Sequence, residues 1–389
     1  MVALKLAFRN LFGAGLRTWL NVSVLSFAFV VMVFYNSFLD GWHKQAYRDN
    51  KEWEIGNGQL WHPLYDQYDN YCLQNSHAPV SDELHKFISA KQITPILITQ
   101  ATIYPQGRMQ NVLLKGIEPG QNIIKLPSRS LDTAGNIFPA LIGKRMAFAA
   151  KLKKGDMVLL RWRDNNGTFD AREIHIVDVF SSNVSSIDNG NIWMPLPLLQ
   201  QMTGYHNEAT LFVVNESYTR GNIDSWLFKD THFLLREIDA IIQSKKGGSA
   251  LVYGLLLIIA LLAIFDTQVL SIFRRQKEIG TYIALGMTRW SVIWIFTIEG
   301  STHSILAILL GSLYGIPLFG YLYRFGIPMP KSMDSYGVTM GDKIFPAFSI
   351  GLILSTVLLV IISATIVSYL PARKISKLNP IAALKGKIT

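Results

Sequence analysis

Cysteine and charge are both scarce in this chain. A single cysteine, Cys72, stands among 389 residues, so an intrachain disulfide is excluded and the thiol is read as structural or inert. Charged residues make up only 16% and hydrophobic ones 50%, whereas a soluble domain carries about a quarter charged residues. A phosphate-cradling loop is missing too. Gly143-Lys144 lacks a glycine at the required upstream position and is followed by Arg145, and Gly386-Lys387 fails in the same way; without closely spaced glycines, backbone N–H groups cannot reach a nucleotide's phosphates. The eight histidines are scattered, with no pair at metal-binding helical spacing and no cysteine partner, so no metal is expected. There is no Gly-x-Ser-x-Gly elbow. These absences argue against an enzyme and place any ATP chemistry on a separate subunit.

Long apolar runs, in contrast, are plentiful. Four stretches approach or exceed the roughly 20 residues that cross a hydrocarbon core as helix: 19–39, 250–273, 290–325 and 344–370. The third is too long for one straight span, and Gly315, Pro317 and Gly320 near its far end predict either a break or a continuation beyond the membrane. The first run has no small-x-small cleavage pattern after it, so it is read as an uncleaved anchor.

The net charge of +10 is concentrated in three short segments. Lys5, Arg9 and Arg17 precede the first span; Arg274, Arg275, Lys277 and Arg289 oppose a lone Glu278 after the second; Arg373, Lys374, Lys377, Lys385 and Lys387 follow the fourth. Residues 40–248 balance 22 basic against 22 acidic residues. Short basic loops stay on the cytoplasmic side, so both termini are expected in the cytoplasm and 40–248 outside it. A nucleic-acid partner is not expected, because the excess charge is a topology signal.

The segment 40–248 is long enough to bury its own core and reads as mixed α and β. Strand-like runs at 93–104, 112–116, 157–163 and 173–180 are separated by turn residues, with Asn165-Asn166-Gly167 as a hairpin connection. Helical pieces are predicted at 81–90, with Ser81 as cap, and at 144–152, 196–203 and 219–228. The fold class is therefore a four-helix membrane unit carrying an α+β domain.

Three features within the spans and one between them bear on function. Asp266 and Glu299 are ionisable residues at the cytoplasmic ends of spans, expected to pair with Arg274, Arg275 or Arg289 ahead of any role in an ion pathway. Gly311 and Gly315 form a Gly-x-x-x-Gly step that admits a neighbouring helix. Phe27, Phe29, Phe34 and Tyr35 give the first span large side chains suited to lipid contact or to a lipid-facing gate. Arg274–Trp290, RRQKEIGTYIALGMTRW, is a short amphipathic helix in which Ile279, Ile283 and Met287 share a face and Gly286 ends the run. It is either a surface-lying connection touching headgroups or a coupling helix that engages a partner ATPase.

These residues resemble the FtsX-like or MacB-like ABC permeases, most closely those of lipoprotein-releasing systems. The resemblance is carried by LAFRNLFGAGLRTWLN at the start, by RRQKEIGTYIALGMTRW with Glu299-Gly300, and by YLPARKISKLNPIAALKGK at the end. LLKGIEP, LIGKRMAFAAKLKKGDMVLL and VFSSNVSSIDNGNIWMPLPLLQQMTG are similar to that family's outer domain. The resemblance implies the MacB-like (type VII) architecture: cytoplasmic amphipathic segment 1–18, spans at 19–39, 250–273, 290–325 with its outer extension, and 344–370, periplasmic domain 40–248, coupling helix 274–289, periplasmic loop 326–343 and cytoplasmic tail 371–389.

It further implies a multi-pass protein of the bacterial inner membrane that works by mechanotransmission. Two ATPase subunits would bind ATP and Mg, a second permease, identical or paralogous, would complete the dimer, and a periplasmic carrier would accept the lipoprotein. Coupling would fall to Arg275, Lys277, Glu278, Ile279, Gly280, Ala284, Leu285 and Gly286. A lateral gate between the first span of one subunit and the second of the other would fall to Phe27, Phe34, Leu256 and Ile259. Export of peptides or small amphiphiles, and mechanical activation of a periplasmic hydrolase, are the alternatives.

Overall fold

The computed structural model describes residues 16–133, 138–329 and 343–377; the expectations for 1–15, for 378–389 and for most of the 326–343 loop lie outside them. The chain divides into two compact units, one drawn from Met1–Trp42, Ile241–Ile327 and Phe345–Thr389, the other from His43–Ala240 and Pro328–Ile344.

The helical unit is built on α1 (Leu16–Asn50), α2 (Arg236–Arg274), α3 (Gln276–Ala284), α4 (Arg289–Phe325) and α5 (Ile350–Ala372). Four of these, all but α3, are long and apolar enough to cross a membrane. The first apolar run stays helical past Leu39, and α2 begins ahead of residue 250. No break occurs at Pro317: α4 runs through it to a cap at Gly326. A proline in a membrane helix leaves one carbonyl unpaired and neighbouring helices support the turn, so continuity is tolerated. The fourth helix starts at Ile350, later than the expected 344, because the Ser349 side chain accepts a hydrogen bond from the N–H of Leu352 and caps it there. Pro346 keeps the residue before it extended.

The centre of this unit is α1. Val22, Leu25, Ala28, Phe29, Met32 and Val33 pack against Leu257, Ala260 and Ile264 of α2, Ala307 of α4, and Val360 and Ala364 of α5. Gly311 is a point of close approach between α4 and α1: an added Cβ would lie 2.9 Å from Phe29 Cδ1 and 3.2 Å from Ser26 Oγ. The Ser26 hydroxyl also lies 3.0 Å from that of Tyr314. The small-residue step thus serves helix packing.

The second unit contains a nine-stranded mixed sheet. In chain order its strands are β1 (Gly58–Trp61), β2 (Ile93–Ile103), β3 (Gln110–Ile117), β4 (Pro139–Gly143), β5 (Met157–Arg163), β6 (Phe169–Phe180), β7 (Asn191–Pro195), β8 (Leu211–Val214) and β9 (Leu227–Asp230). The spatial order is β9-β1-β8-β2-β3-β7-β4-β6-β5, and β5 pairs back onto β2, which closes six strands on themselves. The alternating burial of β5 is the period-two signature of a strand with one wet face. Inside the closure lie Leu97, Leu114, Ile142, Leu160, Trp162 and Ile192, capped by helices at Lys144–Ala150 and Leu196–Thr203. A second core covers the opposite face of the sheet around Trp61, Ile98, Trp193 and Val213.

The helix at Asp82–Ser89 has the expected cap, with Ser81 Oγ accepting from Leu84 N–H, and the Asn165-Asn166-Gly167 turn joins β5 to β6. The expected helix at 219–228 is absent. Ile223 and Trp226 exchange backbone hydrogen bonds in a tight turn, both side chains enter a core with Leu60 and Phe212, and the chain then becomes edge strand β9 against β1. Burial of Trp226 in that core outweighs local helix propensity.

Candidate functional site

The cationic segment after α2 forms a compact corner. Arg275 leaves helical geometry at ψ 23°, which separates α2 from α3. At the far end Gly286 takes φ +95°, the N–H of Met287 donates to Tyr282 O at 3.0 Å, and the N–H of Gly286 donates to Ile283 O at 3.1 Å. That pair of bonds, with glycine in the left-handed region, is a Schellman stop. Thr288 then caps α4 through the N–H of Ser291. Nine residues are thereby held as a separate short helix between two long ones.

The two faces of α3 have different environments. Ile279 is fully buried against Ile272, Val292, Ile293, Phe296, Ala372 and Ile375, with Tyr282, Ile283 and Met287 at the margin. Gly280 is buried beside it. Lys277, Glu278, Thr281, Ala284, Leu285 and Gly286 are exposed, Leu285 to 78%. Of the residues assigned to coupling, Ile279 and Gly280 therefore anchor the helix to its own bundle, and Lys277, Glu278, Ala284, Leu285 and Gly286 form its free surface.

Arg275 links α3 to α4. Its Nη1 donates to both carboxylate oxygens of Glu299, at 2.8 and 3.1 Å, while its Nε donates to Glu278 Oε2 at 2.7 Å. Its guanidinium lies 4.9 Å from the centre of the Phe296 ring. Both partners of the Arg275–Glu299 pair are largely shielded from solvent, and such forked, charge-assisted bonds are the strong ones. Arg275 is thus the partner, among the three arginines considered for Glu299, that the structure selects. Asp266 is exposed.

Next to Glu299, sequence reasoning missed a polar cluster. An added Cβ at Gly300 would overlap the Ser368 side chain and come within 2.9 Å of Gln268 Nε2, so α2, α4 and α5 meet there. Gln268 Oε1, His303 Nε2 and Ser368 Oγ are buried without hydrogen-bond partners among the described residues. The one signal available was Glu299-Gly300 itself, since a glycine beside a buried carboxylate marks close helix contact. Of the assigned gate residues, Phe27 and Ile259 are more than half exposed, whereas Phe34 and Leu256 are partly covered, Phe34 stacked on Phe38. Among the described residues there is no His, Cys, Asp or Glu group arranged to hold a metal ion.

Comparison with known proteins bears on this corner directly. Residues 250–380 match the FtsX-like permease C-terminal family. Over 135 residues the chain is 30% identical to an uncharacterized ABC transporter permease of Methanocaldococcus jannaschii, covering 34% of this chain and 30% of that one. It is 22% identical over 318 residues to a macrolide export ATP-binding/permease protein MacB of Bradyrhizobium diazoefficiens, covering 75% and 46% respectively. It is 24% identical over 221 residues to the ABC transporter permease YknZ of Bacillus subtilis, covering 56% and 50%. The matches thus span half or less of the length of these relatives. The extracellular domain of the YknZ transporter from Gram-positive bacteria aligns with a TM-score of 0.26 and 13% identity over 41% of this chain and 83% of that one, a likeness too slight to bear an argument.

Proposed function

We propose that this chain, whose residues 250–380 match the FtsX-like permease C-terminal family, couples ATP hydrolysis on a separate ATPase subunit to movement of its membrane helices. The observation that carries this reading is the two-faced α3. Its inner face is fixed to α4 and α5 by Ile279 and by the Arg275–Glu299 pair, and its outer face offers Lys277, Ala284 and Leu285 to a partner. A push on that outer face passes to α4 through a rigid ion pair and a packed core instead of being absorbed by a loop.

In this reading the α3 corner and both termini are cytoplasmic, and the α+β domain lies outside a bacterial inner membrane. ATP and Mg are held by the partner ATPase, and the permease works as a dimer. The cargo we assign is a lipoprotein drawn from the outer leaflet and passed to a periplasmic carrier, which rests on the sequence motifs quoted above. A second reading, export of a small amphiphile, is favoured by the relatives described as macrolide exporters.

Gly280→Pro is the direct test. Proline at the middle of α3 removes a helix hydrogen bond and clashes with the preceding turn. The expected result is a purified complex of normal composition whose ATPase rate no longer responds to cargo. Unchanged coupled activity would refute the coupling role. Mass spectrometry of what copurifies with the tagged chain separates the cargoes: an acylated lipoprotein supports release, and an export adaptor without lipoprotein supports efflux.

A further inference from the structure

The α+β domain contains an open cleft of about 1260 Å³. Part of its wall is the outer face of the sheet where β2, β3 and β7 run side by side. Ile98 pairs with Lys115 across one strand boundary, and Lys115 with Trp193 across the next. All three line the cleft, as do Trp61, Leu113 and Tyr65.

Lys115 is out of keeping with that face. It is 9% exposed and sits between Ile98 at 3% and Trp193 at 1%. Its side chain makes no hydrogen bond or salt bridge among the described residues, and the centre of the Trp193 ring lies 5.2 Å from Nζ. Burial pushes the ammonium pKa down, with the Glu54 carboxylate acting against that shift; Glu54 itself accepts a hydrogen bond from the Ser186 hydroxyl. On the same wall, Trp193 Nε1 has no acceptor among the described residues.

A lysine serving only as packing extends its head into water and buries its stem. A lysine nine-tenths covered on an apolar wall keeps its charge at a cost that an opposite charge reaching its ammonium would offset. The cleft is the side from which such a charge can arrive, and the partly exposed Tyr65 and Leu113 in its lining suit the apolar body of the same molecule.

We propose that this cleft binds an amphiphilic organic anion, with its carboxylate or phosphate paired to Lys115 Nζ and its apolar part laid against Leu113 and Tyr65, the partly exposed apolar side chains of that wall. The site lies wholly within the α+β domain and stands independently of the coupling reading.

The test uses the full chain in lipid nanodiscs, titrated calorimetrically against empty nanodiscs. The probes are naphthalene-1-acetate, 1-naphthyl phosphate and the uncharged naphthalene-1-ethanol. At least one anion is expected to bind saturably and at least tenfold more tightly than the alcohol, and the tighter of the two identifies the headgroup. Lys115→Met is expected to lose that tenfold preference and Lys115→Arg to keep it. Wild-type protein that prefers neither anion to the alcohol, or a Lys115→Met variant that keeps the preference, overturns the proposal. Should the methionine variant not fold, acetylation of Lys115 in the wild type, read by mass spectrometry, replaces it. The preferred anion is expected to slow labelling and the alcohol to leave it unchanged, and equal rates with both would overturn the assignment.

Discussion

The two units of this protein solve opposite problems with charge. In the α+β unit the ionised pairs are mostly at the surface, as with Lys154–Asp178 and Lys125–Glu52, and the interior is apolar on both faces of the sheet. In the helical unit the outer faces are apolar, with Leu251, Leu255, Ile258, Leu262, Leu313 and Ile362 all exposed, and polar groups such as Gln268, Thr297, Glu299, His303 and Ser368 are inside. The first pattern suits water as solvent. The second suits hydrocarbon, where polar groups are kept inside the bundle and helices hold together by close packing.

Breaking the buried ion pair of each unit sharpens that contrast most. Glu299→Ala leaves Arg275 without its forked partner, and Asp188→Ala removes the carboxylate that accepts from Arg145 Nη1 at 2.7 Å. Loss of one partner of a buried pair costs about 3–5 kcal/mol. Thermal unfolding in detergent is expected to show both losses. Proteolysis of the α+β domain is expected to accelerate in Asp188→Ala alone, and cargo-stimulated ATPase to fall in Glu299→Ala alone. If both variants gave the same profile, the two units would not be independent in stability.

A smaller effect is expected from Gly311→Leu, which forces bulk against Phe29 where the gap admits no Cβ. Overpacking of this kind costs roughly 1–3 kcal/mol, read as a lowered melting temperature of the complex. Gly315→Ala is the control. A Cβ there would meet Val30 Cγ2 and Phe319 Cε2 at 3.4 Å, an ordinary contact distance, so its melting temperature is expected to stay near wild type.

The smallest effect concerns pH. The folded-state pKa of Lys115 is depressed by burial, so the folded domain binds fewer protons than the unfolded chain between that value and the ordinary 10.5. Stability therefore rises with pH across this window. Denaturant unfolding of the wild type is expected to show that rise, and Lys115→Met to lack its contribution. Identical slopes would place the Lys115 ammonium in water.

Much of this architecture was legible in the sequence, and the exceptions share a cause. Apolar length marked the four long helices, β-prone composition between turn residues marked 157–163, and Ser81 marked a helix start, because each is a local rule. Residues 219–228 looked helical by propensity but are governed by Trp226, whose core forms only when β1 and β8 arrive from distant sequence. Lys115, in LLKGIEP, looked like any lysine on a strand; its burial emerges only when the register sets it between Ile98 and Trp193. At α3, Ile279 and Ile283 were correctly grouped on one face, yet the pattern alone could not tell a face turned toward the bundle from one turned toward a partner.

That distinction defines the most direct test of the account. With Cys72 replaced by serine and Leu285 replaced by a photo-crosslinking amino acid, irradiation of the purified complex is expected to join the chain to its ATPase subunit, and the same replacement at Ile279 to yield crosslinks only within the chain. An ATPase crosslink absent at Leu285, or present at Ile279 in its place, would contradict the assignment of the outer face of α3 as the surface that receives the stroke.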